Sequence, residues 1–314
     1  LGRMIPAHYP ELPLPASINM WSDDDTLYFL ARRGDDVAGN LILGNEAFQR
    51  FSTAPAMEAV PEHARAACYS LRAQQANAGD VPGSSAGGEQ AKFTALIEAP
   101  DGSLRHVIVK FSPGIDTAPG RRWADLLLAE HLALATLREF GIPASESEIV
   151  MADSRVCLEV ARFDRRGRRG RLPVVSMAGV DTLPGALDQN WSRSTALLRG
   201  QGLLSQADWE RVCLLDVFGA LIGNSDRHPG NLSLTWDANG HFTLAPVYDM
   251  LPMLYRPTAQ GEVVPRRFDP IVLFRLELRH LPQARTMALA FWQAVLEDER
   301  ISPGFKLVAE SHRT

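Results

Sequence analysis

Three polar residues with the spacing of a phosphoryl-transfer site follow an apolar helical stretch in the second half of the chain. Asp226 and Asn231 lie five positions apart in one loop, and Asp249 comes after a short hairpin. Phosphoryl transfer needs a carboxylate that takes or orients the hydroxyl proton. It also needs an amide oxygen and a second carboxylate that hold Mg²⁺ against the nucleotide phosphates. We therefore expect these three residues to converge, and the pattern predicts an ATP-dependent kinase.

The context of this loop makes the pattern specific. An Asp-x-x-x-x-Asn spacing alone arises often by chance, and Asp226 alone can be explained as an acidic turn that ends a helix. The run Gly-Asn-Ser-Asp-Arg-His-Pro-Gly-Asn at residues 223–231, followed later by Tyr248 and Asp249, is far less common. We interpret His228 as a residue that orients the loop backbone or packs behind Asp226. No second His or Cys stands near it at metal-ligand spacing.

A second group of candidate residues lies upstream. Residues 84–92 read Ser-Ser-Ala-Gly-Gly-Glu-Gln-Ala-Lys, and Lys110 follows two predicted strands later. Glycines let backbone N–H groups approach phosphates closely, and a lysine can reach the same phosphates as a point charge. A glycine turn and an unrelated surface lysine are the simpler explanation of either feature alone. Their order in the chain favours a nucleotide-binding loop.

A buried acid is expected on the helix that follows. The stretch Arg121–Phe140 predicts an amphipathic helix, and Glu130 lies on the same face as Leu127 and Leu134. A carboxylate on an apolar face needs a partner, because its desolvation is otherwise costly. Lys110 is the natural partner, since a Lys–Glu pair of this kind orients the phosphate-binding lysine in kinases. The alternative is a glutamate at the edge of the face that reaches solvent.

Alternation, turn residues and helical spacing predict the elements that must position these residues. Strands are expected at Thr26–Leu30, Asn40–Leu43, Phe93–Glu98, Leu104–Phe111, Glu148–Ala152, Arg155–Arg162, Asn231–Trp236 and His241–Leu244. Helices are expected at residues 62–76, Arg121–Phe140, Gln206–Ile222 and Thr286–Glu297, with a helical C-terminal tail. Residues 180–203 read as irregular with helical stretches.

The end of the strand at 155–162 is where the chain must leave the first half of the molecule. We interpret Val160–Asp164 as a hinge, whose backbone N–H and C=O groups can pair with an adenine edge. The run Arg165–Arg171 that follows is dense in arginine and glycine. We interpret it as a solvated hairpin tip. An electrostatic landing site for an acidic partner or an RNA is the weaker alternative, because no aromatic residue is interleaved.

Composition excludes several classes of protein. The chain has 314 residues, with 22% charged, 46% hydrophobic and a net charge of -5. It therefore suits a globular fold and is not built as a whole to coat a polyanion. Three widely spaced cysteines suit a reducing compartment, and we expect a cytoplasmic protein. The best apolar run, residues 212–222, is too short to span a bilayer. We see no secretory leader, and because residue 1 is Leu we expect a trimmed N-terminus.

Three separated stretches resemble the HipA-like serine/threonine kinases, the toxins of bacterial type II toxin–antitoxin pairs. Residues 84–92 resemble their Gly-rich loop, Arg162-Phe163-Asp164-Arg165 resembles their hinge signature, and Gly223–Asn231 with Ala245-Pro246-Val247-Tyr248-Asp249 resembles their catalytic and metal loops. The resemblance covers roughly residues 80–300. It implies an α+β, bilobal protein-kinase-like fold that uses ATP and Mg²⁺. A smaller, mixed β-rich N-lobe would span residues 1–162 and a mainly helical C-lobe residues 163–314.

The resemblance implies a role for each matching residue. Asp226 takes the role of catalytic base, assisted by Lys110 and Glu130, and Asn231 and Asp249 hold Mg²⁺. Nucleotide contacts are implied for Ala86, Gly87, Gly88, Gln90, Lys92, Lys110, Ala161, Arg162, Phe163, His228, Asn231, Tyr248 and Asp249. Ser84, with Ser85 as its close rival, takes the place of the loop serine whose autophosphorylation switches the family off. The loop departs from the family pattern by having more residues between the glycine pair and the lysine.

Partners are implied only by the resemblance. They are a protein substrate, in this family an aminoacyl-tRNA synthetase, and a cognate DNA-binding antitoxin. No membrane contact is expected, and direct contact with nucleic acid stays open. One alternative is a small-molecule phosphotransferase of the aminoglycoside or choline kinase type, which usually carries His-Gly-Asp where this chain has Asn-Ser-Asp. Another is a non-catalytic module that binds a nucleotide or an antitoxin, which would be expected to lack Lys110, Asp226 or Asp249.

Overall fold

A computed structural model describes residues 9–78, 91–180, 190–269 and 278–313. Most of the predicted Gly-rich loop lies outside the described residues. That applies to the candidate nucleotide contacts and phosphorylation sites Ser84, Ser85, Ala86, Gly87, Gly88 and Gln90. Their roles therefore stay predictions.

The N-terminal segment is helical, where the sequence predicted strands. Helices α1 and α2 span Asp23–Arg33 and Asn45–Thr53. The predicted strand Thr26–Leu30 is wrong, because Ser22 and Asp25 form a capping box at the start of α1. The Ser22 hydroxyl accepts the Asp25 N–H at 3.2 Å, and the Asp25 carboxylate accepts the Ser22 N–H at 2.8 Å. The predicted strand Asn40–Leu43 is also wrong, since these residues form an irregular connection to α2.

A five-stranded sheet follows. Its strands are β1 (Ala59–Pro61), β2 (Lys92–Glu98), β3 (Leu104–Phe111), β4 (Ser147–Ala152) and β5 (Arg155–Ala161). They lie in the order β1-β2-β3-β5-β4, with β1 parallel to β2 and every other pair antiparallel. The strands predicted from residue 93 to residue 162 are therefore confirmed, with ends that differ by a residue. The β2–β3 register places Lys92 directly opposite Lys110.

One helix covers each face of this sheet. Helix α3 (Arg65–Ala78), preceded by a short 3₁₀ turn, confirms the helix predicted at 62–76. It is fixed by a fully buried carboxylate on β5, Glu159, which accepts hydrogen bonds from Tyr69 at 2.5 Å and Arg65 at 3.1 Å. Helix α4 (Ala118–Glu139) lies on the opposite face. Its first turn is capped by Thr117, whose hydroxyl accepts the Gly120 N–H at 3.1 Å.

A small hairpin follows β5. Its strands are β6 (Arg165–Arg166) and β7 (Gly170–Arg171). Arg166 and Arg168 are exposed, as a solvated tip requires, but that interpretation is wrong for Arg165, whose side chain is only 4% exposed. Arg165 donates to the carboxylate of Asp36 at 3.0 Å and to the carbonyl of Val37 at 2.8 Å. The base of the hairpin thus holds the segment between α1 and α2.

The second half is mainly helical. Its elements are β8 (Val175–Ser176), α5 (Met177–Val180), α6 (Trp191–Gly200), α7 (Gln206–Leu221), β9 (Ser233–Trp236), β10 (Phe242–Leu244), α8 (Leu281–Glu297) and α9 (Pro303–Ser311). The predicted helices and the 231–244 hairpin are confirmed, although Pro229–Asn231 forms a 3₁₀ turn rather than the start of β9. Helix α7 is buried on nearly every side, which is typical of a central helix.

One large apolar core joins α4 to the helices of the second half. It contains Leu127 and Leu134 of α4, Phe218 of α7, and Phe291 and Trp292 of α8. Glu130 on α4 and the loop that follows α7 are therefore attached to the same rigid interior. Among the described residues, no helix combines the length and the apolar character needed to cross a membrane.

Candidate active site

Lys110 contacts two carboxylates that come from different parts of the chain. Its ammonium nitrogen lies 2.6 and 2.7 Å from the two carboxylate oxygens of Glu130 and also forms an ion pair with Asp249. Glu130 is fully buried and Lys110 is 7% exposed, whereas a quarter of the Asp249 side chain reaches the surface. The Lys110–Glu130 pair predicted from the sequence is confirmed, and Asp249 joins it.

The charges of this cluster depend on one another. Burial alone would lower the pKa of Lys110, but the charges of Asp249 and Glu130 outweigh it and raise that pKa above its ordinary value. Burial also raises the pKa of Glu130, an effect that Lys110 only partly offsets. Burial would raise the pKa of Asp249 as well, yet Lys110 and then Lys92 hold it below its ordinary value. At neutral pH the cluster therefore presents a charged lysine and an ionised Asp249.

The loop that carries Asp226 is set by the way α7 ends. Gly223 adopts φ +75° and donates its N–H to the carbonyl of Ala220 at 3.1 Å, while the Asn224 N–H reaches the carbonyl of Gly219 at 2.8 Å. These two bonds form a Schellman motif, in which a glycine readily takes the left-handed conformation. The motif turns the chain sharply and directs Asn224 into the interior, where it is 1% exposed.

Asp226 and Asn231 are joined through the loop backbone. The side-chain amide of Asn231 donates to the carbonyl of Asp226 at 2.9 Å, and the His228 N–H reaches the same carbonyl at 3.0 Å. Nδ1 of His228 accepts the Gly230 N–H at 3.0 Å, so His228 orients backbone as we interpreted it. Within the described residues, neither the Asp226 carboxylate nor the Asn231 side-chain oxygen is engaged in a hydrogen bond. Both groups therefore stay available to a substrate or a metal.

Tyr248, the neighbour of Asp249 in the chain, supports the same loop. Its hydroxyl donates to the carbonyl of Gly230 at 3.0 Å and lies 2.7 Å from the hydroxyl of Ser233. Because the single Tyr248 proton points to Gly230, Ser233 is the donor in the second bond. Burial raises the pKa of Tyr248 to about 12, so the phenol stays neutral. Its ring lies near that of Phe163, with centroids 6.0 Å apart, which brings the predicted hinge beside Tyr248 and the loop it supports.

The predicted hinge has fewer available donors than the sequence suggested. The Ala161 N–H donates to the carbonyl of Glu146 at 2.8 Å, and the Arg162 N–H donates to the carbonyl of His106 at 2.9 Å. The Arg162 guanidinium pairs with Asp164 at 2.8 Å. By contrast, the Phe163 N–H makes no hydrogen bond to any described residue. An adenine edge would therefore find its backbone donor at Phe163.

Two oxygen ligands could hold a metal here. The side-chain oxygens of Asn231 and Asp249 are of the type that Mg²⁺ prefers, and Asn231 is oriented because its amide nitrogen is already bound. Within the described part of the chain, no group of three His, Cys, Asp or Glu residues is placed to bind a metal. The donor set thus fits Mg²⁺ held by a few protein ligands together with phosphates, rather than a cage made of protein alone.

Comparison with known proteins assigns the family. Residues 84–296 match the HipA-like C-terminal domain, and this stretch contains every candidate residue described above. The chain belongs to the HipA-like family. Residues 1–52 of this HipA-like chain match the middle domain of YjjJ-like toxins.

One curated protein and one solved structure are similar to this chain. The chain is 38% identical to Toxin YjjJ of Escherichia coli (strain K12) over 314 residues, which is 98% of this chain and 69% of that protein. It also aligns with HipA of Shewanella oneidensis MR-1, solved with HipB and operator DNA, with a TM-score of 0.56 and 16% identity. That alignment covers 93% of this chain and 78% of the HipA chain. The mixed, bilobal kinase-like fold is therefore confirmed, while the lobe boundary at residues 162–163 stays a prediction.

Sequence reasoning missed the polar residues behind the loop of this HipA-like chain. Asn224 was part of the motif but had no role, and Asp216 lies in the apolar run 212–222, which was considered only as a membrane span. Ser192 donates its N–H to the Asp216 carboxylate at 2.7 Å, and Arg227 turns inward to lie 3.8 Å from it. A carboxylate in the middle of an apolar helix was the available signal, because such a group requires polar partners once it is buried.

Proposed function

We propose that this HipA-like chain is an ATP- and Mg²⁺-dependent serine/threonine kinase that acts as the toxin of a toxin–antitoxin system. The observation that carries the proposal is the position of Lys110 between Glu130 and Asp249. A lysine held by a buried glutamate on a packed helix is fixed in direction, and it points at the residue whose carboxylate is suited to Mg²⁺.

Binding of ATP would use charges from both halves of the molecule. Lys110, and Lys92 opposite it on β2, would face the phosphates, while the Phe163 N–H would receive the adenine. Asn231 and Asp249 would hold Mg²⁺, which when bound neutralises charge on the phosphates and helps the leaving group depart. In this proposal Ala161 and Arg162 offer no free backbone N–H to the nucleotide, and His228 and Tyr248 hold the loop.

Transfer would then depend on Asp226. A serine or threonine hydroxyl oxygen would attack the γ-phosphorus, and the bond from that phosphorus to the bridging β–γ oxygen would break. ADP would leave with the electron pair of that bond, and the hydroxyl proton would pass to the Asp226 carboxylate. Asp226 suits this role because its backbone is held on both sides, by Asn224 and by Asn231, while its carboxylate makes no bond to the described residues.

Regulation and partners follow from the family. We propose that Ser84 or Ser85 is autophosphorylated, which would place about two negative charges where the γ-phosphate must lie and so switch the kinase off. The S. oneidensis relative was solved with HipB and operator DNA, which supports a DNA-binding antitoxin as partner. We propose a protein substrate as well, an aminoacyl-tRNA synthetase being the class that the family suggests.

Intact-mass measurement tests the function. The purified chain is incubated with ATP and Mg²⁺, with either omitted, and with candidate metabolites added. We expect a gain of about 80 Da per phosphate only when both ATP and Mg²⁺ are present. A mass gain of one phosphate on an added aminoglycoside or choline instead would favour a small-molecule phosphotransferase. A chain that binds ATP but transfers nothing to itself, to protein or to metabolite would overturn the kinase proposal.

A further inference from the structure

Asn224 connects the two loops of the candidate site. Its side-chain oxygen accepts the N–H of Asp226 at 3.0 Å, while its side-chain nitrogen donates to the backbone carbonyl of Asp249 at 3.4 Å. The same nitrogen lies 3.5 Å from the sulfur of Met250. One buried amide thus touches the proposed base on one side and the proposed metal ligand on the other.

The backbone at Asp249 makes this contact informative. Asp249 has φ +52°, and only one other non-glycine residue in the described chain, Asp153, has a positive φ. A left-handed conformation is unfavourable for a residue with a side chain, although Asp tolerates it better than most, so contacts that hold it matter. Asn224 binds the carbonyl of that residue, while Lys110 binds its carboxylate. Backbone and side chain of Asp249 are therefore fixed from opposite directions.

The burial of Asn224 argues against a merely incidental contact. A side-chain amide that is 1% exposed must satisfy its polar atoms inside the protein, because leaving them unpaired is costly. The Schellman motif places Asn224 at the second position beyond the helix end, where an apolar residue commonly packs back on the helix. Here the position carries an amide whose bonds both lead to candidate site residues.

We infer that Asn224 is a positioning residue, which sets the distance between the Asp226 base and the Asp249 metal ligand. The inference rests on the proposed kinase function and adds to it a residue that couples proton transfer to metal binding. Loss of the amide should let Asp249 relax from its left-handed conformation and should let the Asp226 loop shift. A shift of about 1 Å in a reacting group can cost on the order of a hundredfold in rate.

Two variants separate this role from a structural one. Asn224→Ala removes both hydrogen bonds, and Asn224→Asp keeps the size and the acceptor but loses the donor to Asp249. Asn239→Ala, in the exposed β9–β10 turn, is the matched control. We expect both Asn224 variants to lower kcat at least tenfold at saturating Mg²⁺ and ATP, while the KM for ATP changes less than threefold. In calorimetry with a non-hydrolysable ATP analogue, Asn224→Ala should raise the half-saturating Mg²⁺ concentration at least fivefold.

If Asn224 only stabilised the fold, the two variants would behave differently. Activity would then fall only in proportion to the folded fraction seen in thermal melts, with the half-saturating Mg²⁺ concentration unchanged, and that result would overturn the inference. Hydrogen exchange on the wild type needs no variant. The Asp226 amide should exchange at least tenfold more slowly than the Ser225 amide, and equal rates would contradict its bond to Asn224. The Mg²⁺ titration and the hydrogen-exchange measurement do not depend on turnover, so they test the role of Asn224 separately. Absence of phosphoryl transfer in the wild type would instead overturn the kinase proposal.

Discussion

The ammonium group of Lys110 on β3 and the carboxylate of Glu130 on α4 lie 2.6 Å apart in the interior of the protein. Glu130 is fully buried and Lys110 is only 7% exposed, so each charge depends on an ion partner for its stability. The pair fixes the central strand of the sheet to the helix that shares a core with α7. It thereby determines where the positive charge stands relative to Asp249 and the Asp226 loop.

The pair predicts a pH-dependent loss of stability in Lys110→Met. Without its cation, buried Glu130 has a pKa raised further above its ordinary value, so the folded state keeps a proton that the unfolded chain releases near pH 4.5. The free energy of unfolding should then fall as the pH rises from 5 to 8, by about 3 kcal/mol. Adding Glu130→Gln to Lys110→Met should restore most of the lost free energy of unfolding and remove its dependence on pH. Urea denaturation at several pH values measures the free energy of unfolding. The same pH dependence in Lys110→Met and in the double variant would contradict the prediction.

Asp249→Ala should weaken binding of Mg²⁺ and ATP together. The substitution removes the carboxylate ligand and leaves Lys110 paired with Glu130 alone, so the phosphates would lose their metal contact. Calorimetry should show at least a tenfold weaker Mg²⁺-dependent affinity, equivalent to about 1.4 kcal/mol. Glu299→Ala, which removes an exposed carboxylate, serves as the control. Affinity like that of the wild type would remove Asp249 from the metal site.

The sequence predicted the parts of this site whose physical requirements are local. Helical spacing put Glu130 on an apolar face, and its need for a partner then predicted Lys110. Asp101 and Gly102, which has φ +80°, are typical turn residues between the two predicted strands, and this hairpin brings Lys110 beside the start of β2. These features depend on neighbours in the chain, which is why alternation and turn chemistry sufficed.

What the sequence did not predict depends on distant contacts. Arg165 is bound to Asp36, 129 residues away, and Asn224 is bound to the carbonyl of Asp249, 25 residues away. No local pattern specifies such partners. The strand wrongly predicted at 26–30 is a different failure, since Ser22 and Asp25 gave a local capping signal that the run of apolar and aromatic residues concealed.

Phosphorylation of the Gly-rich loop should act as an off-switch. A phosphate at Ser84 would repel the ATP phosphates, so Ser84→Asp should bind ATP more weakly and relieve toxicity, whereas Ser84→Ala should still bind ATP. Peptide mapping of the wild type should find phosphate at Ser84 or Ser85, and none in Asp226→Gln. Phosphate found only outside this loop, or in equal amount in the inactive variant, would refute self-regulation at this site.

His312 should make the protein sensitive to acid. Burial lowers its pKa to about 4, and its ring stacks on Trp292 while Nε2 meets the Tyr255 hydroxyl at 2.6 Å. As the pH falls below about 6.5, the unfolded chain takes up a proton that the folded state refuses, so stability is lost between pH 6.5 and 4. We expect a loss of about 1 kcal/mol by pH 5, allowing for partial exposure. His312→Phe should flatten the dependence of stability on pH, and substitution of the exposed residue in His241→Phe should not. Identical pH–stability curves for the wild type and His312→Phe would show that His312 is not responsible.

The most direct test of the account measures transfer and binding in Asp226→Ala. A general base acts in the transition state, so its removal should lower turnover far more than ATP affinity. Single-turnover transfer from labelled ATP, measured with calorimetry and thermal melting on the same preparation, compares the three properties. We predict that the variant melts like the wild type, binds Mg²⁺-ATP within about threefold, and transfers at least a hundredfold more slowly. A decrease in transfer of less than about tenfold, or roughly 1.4 kcal/mol, would show that Asp226 is not the base.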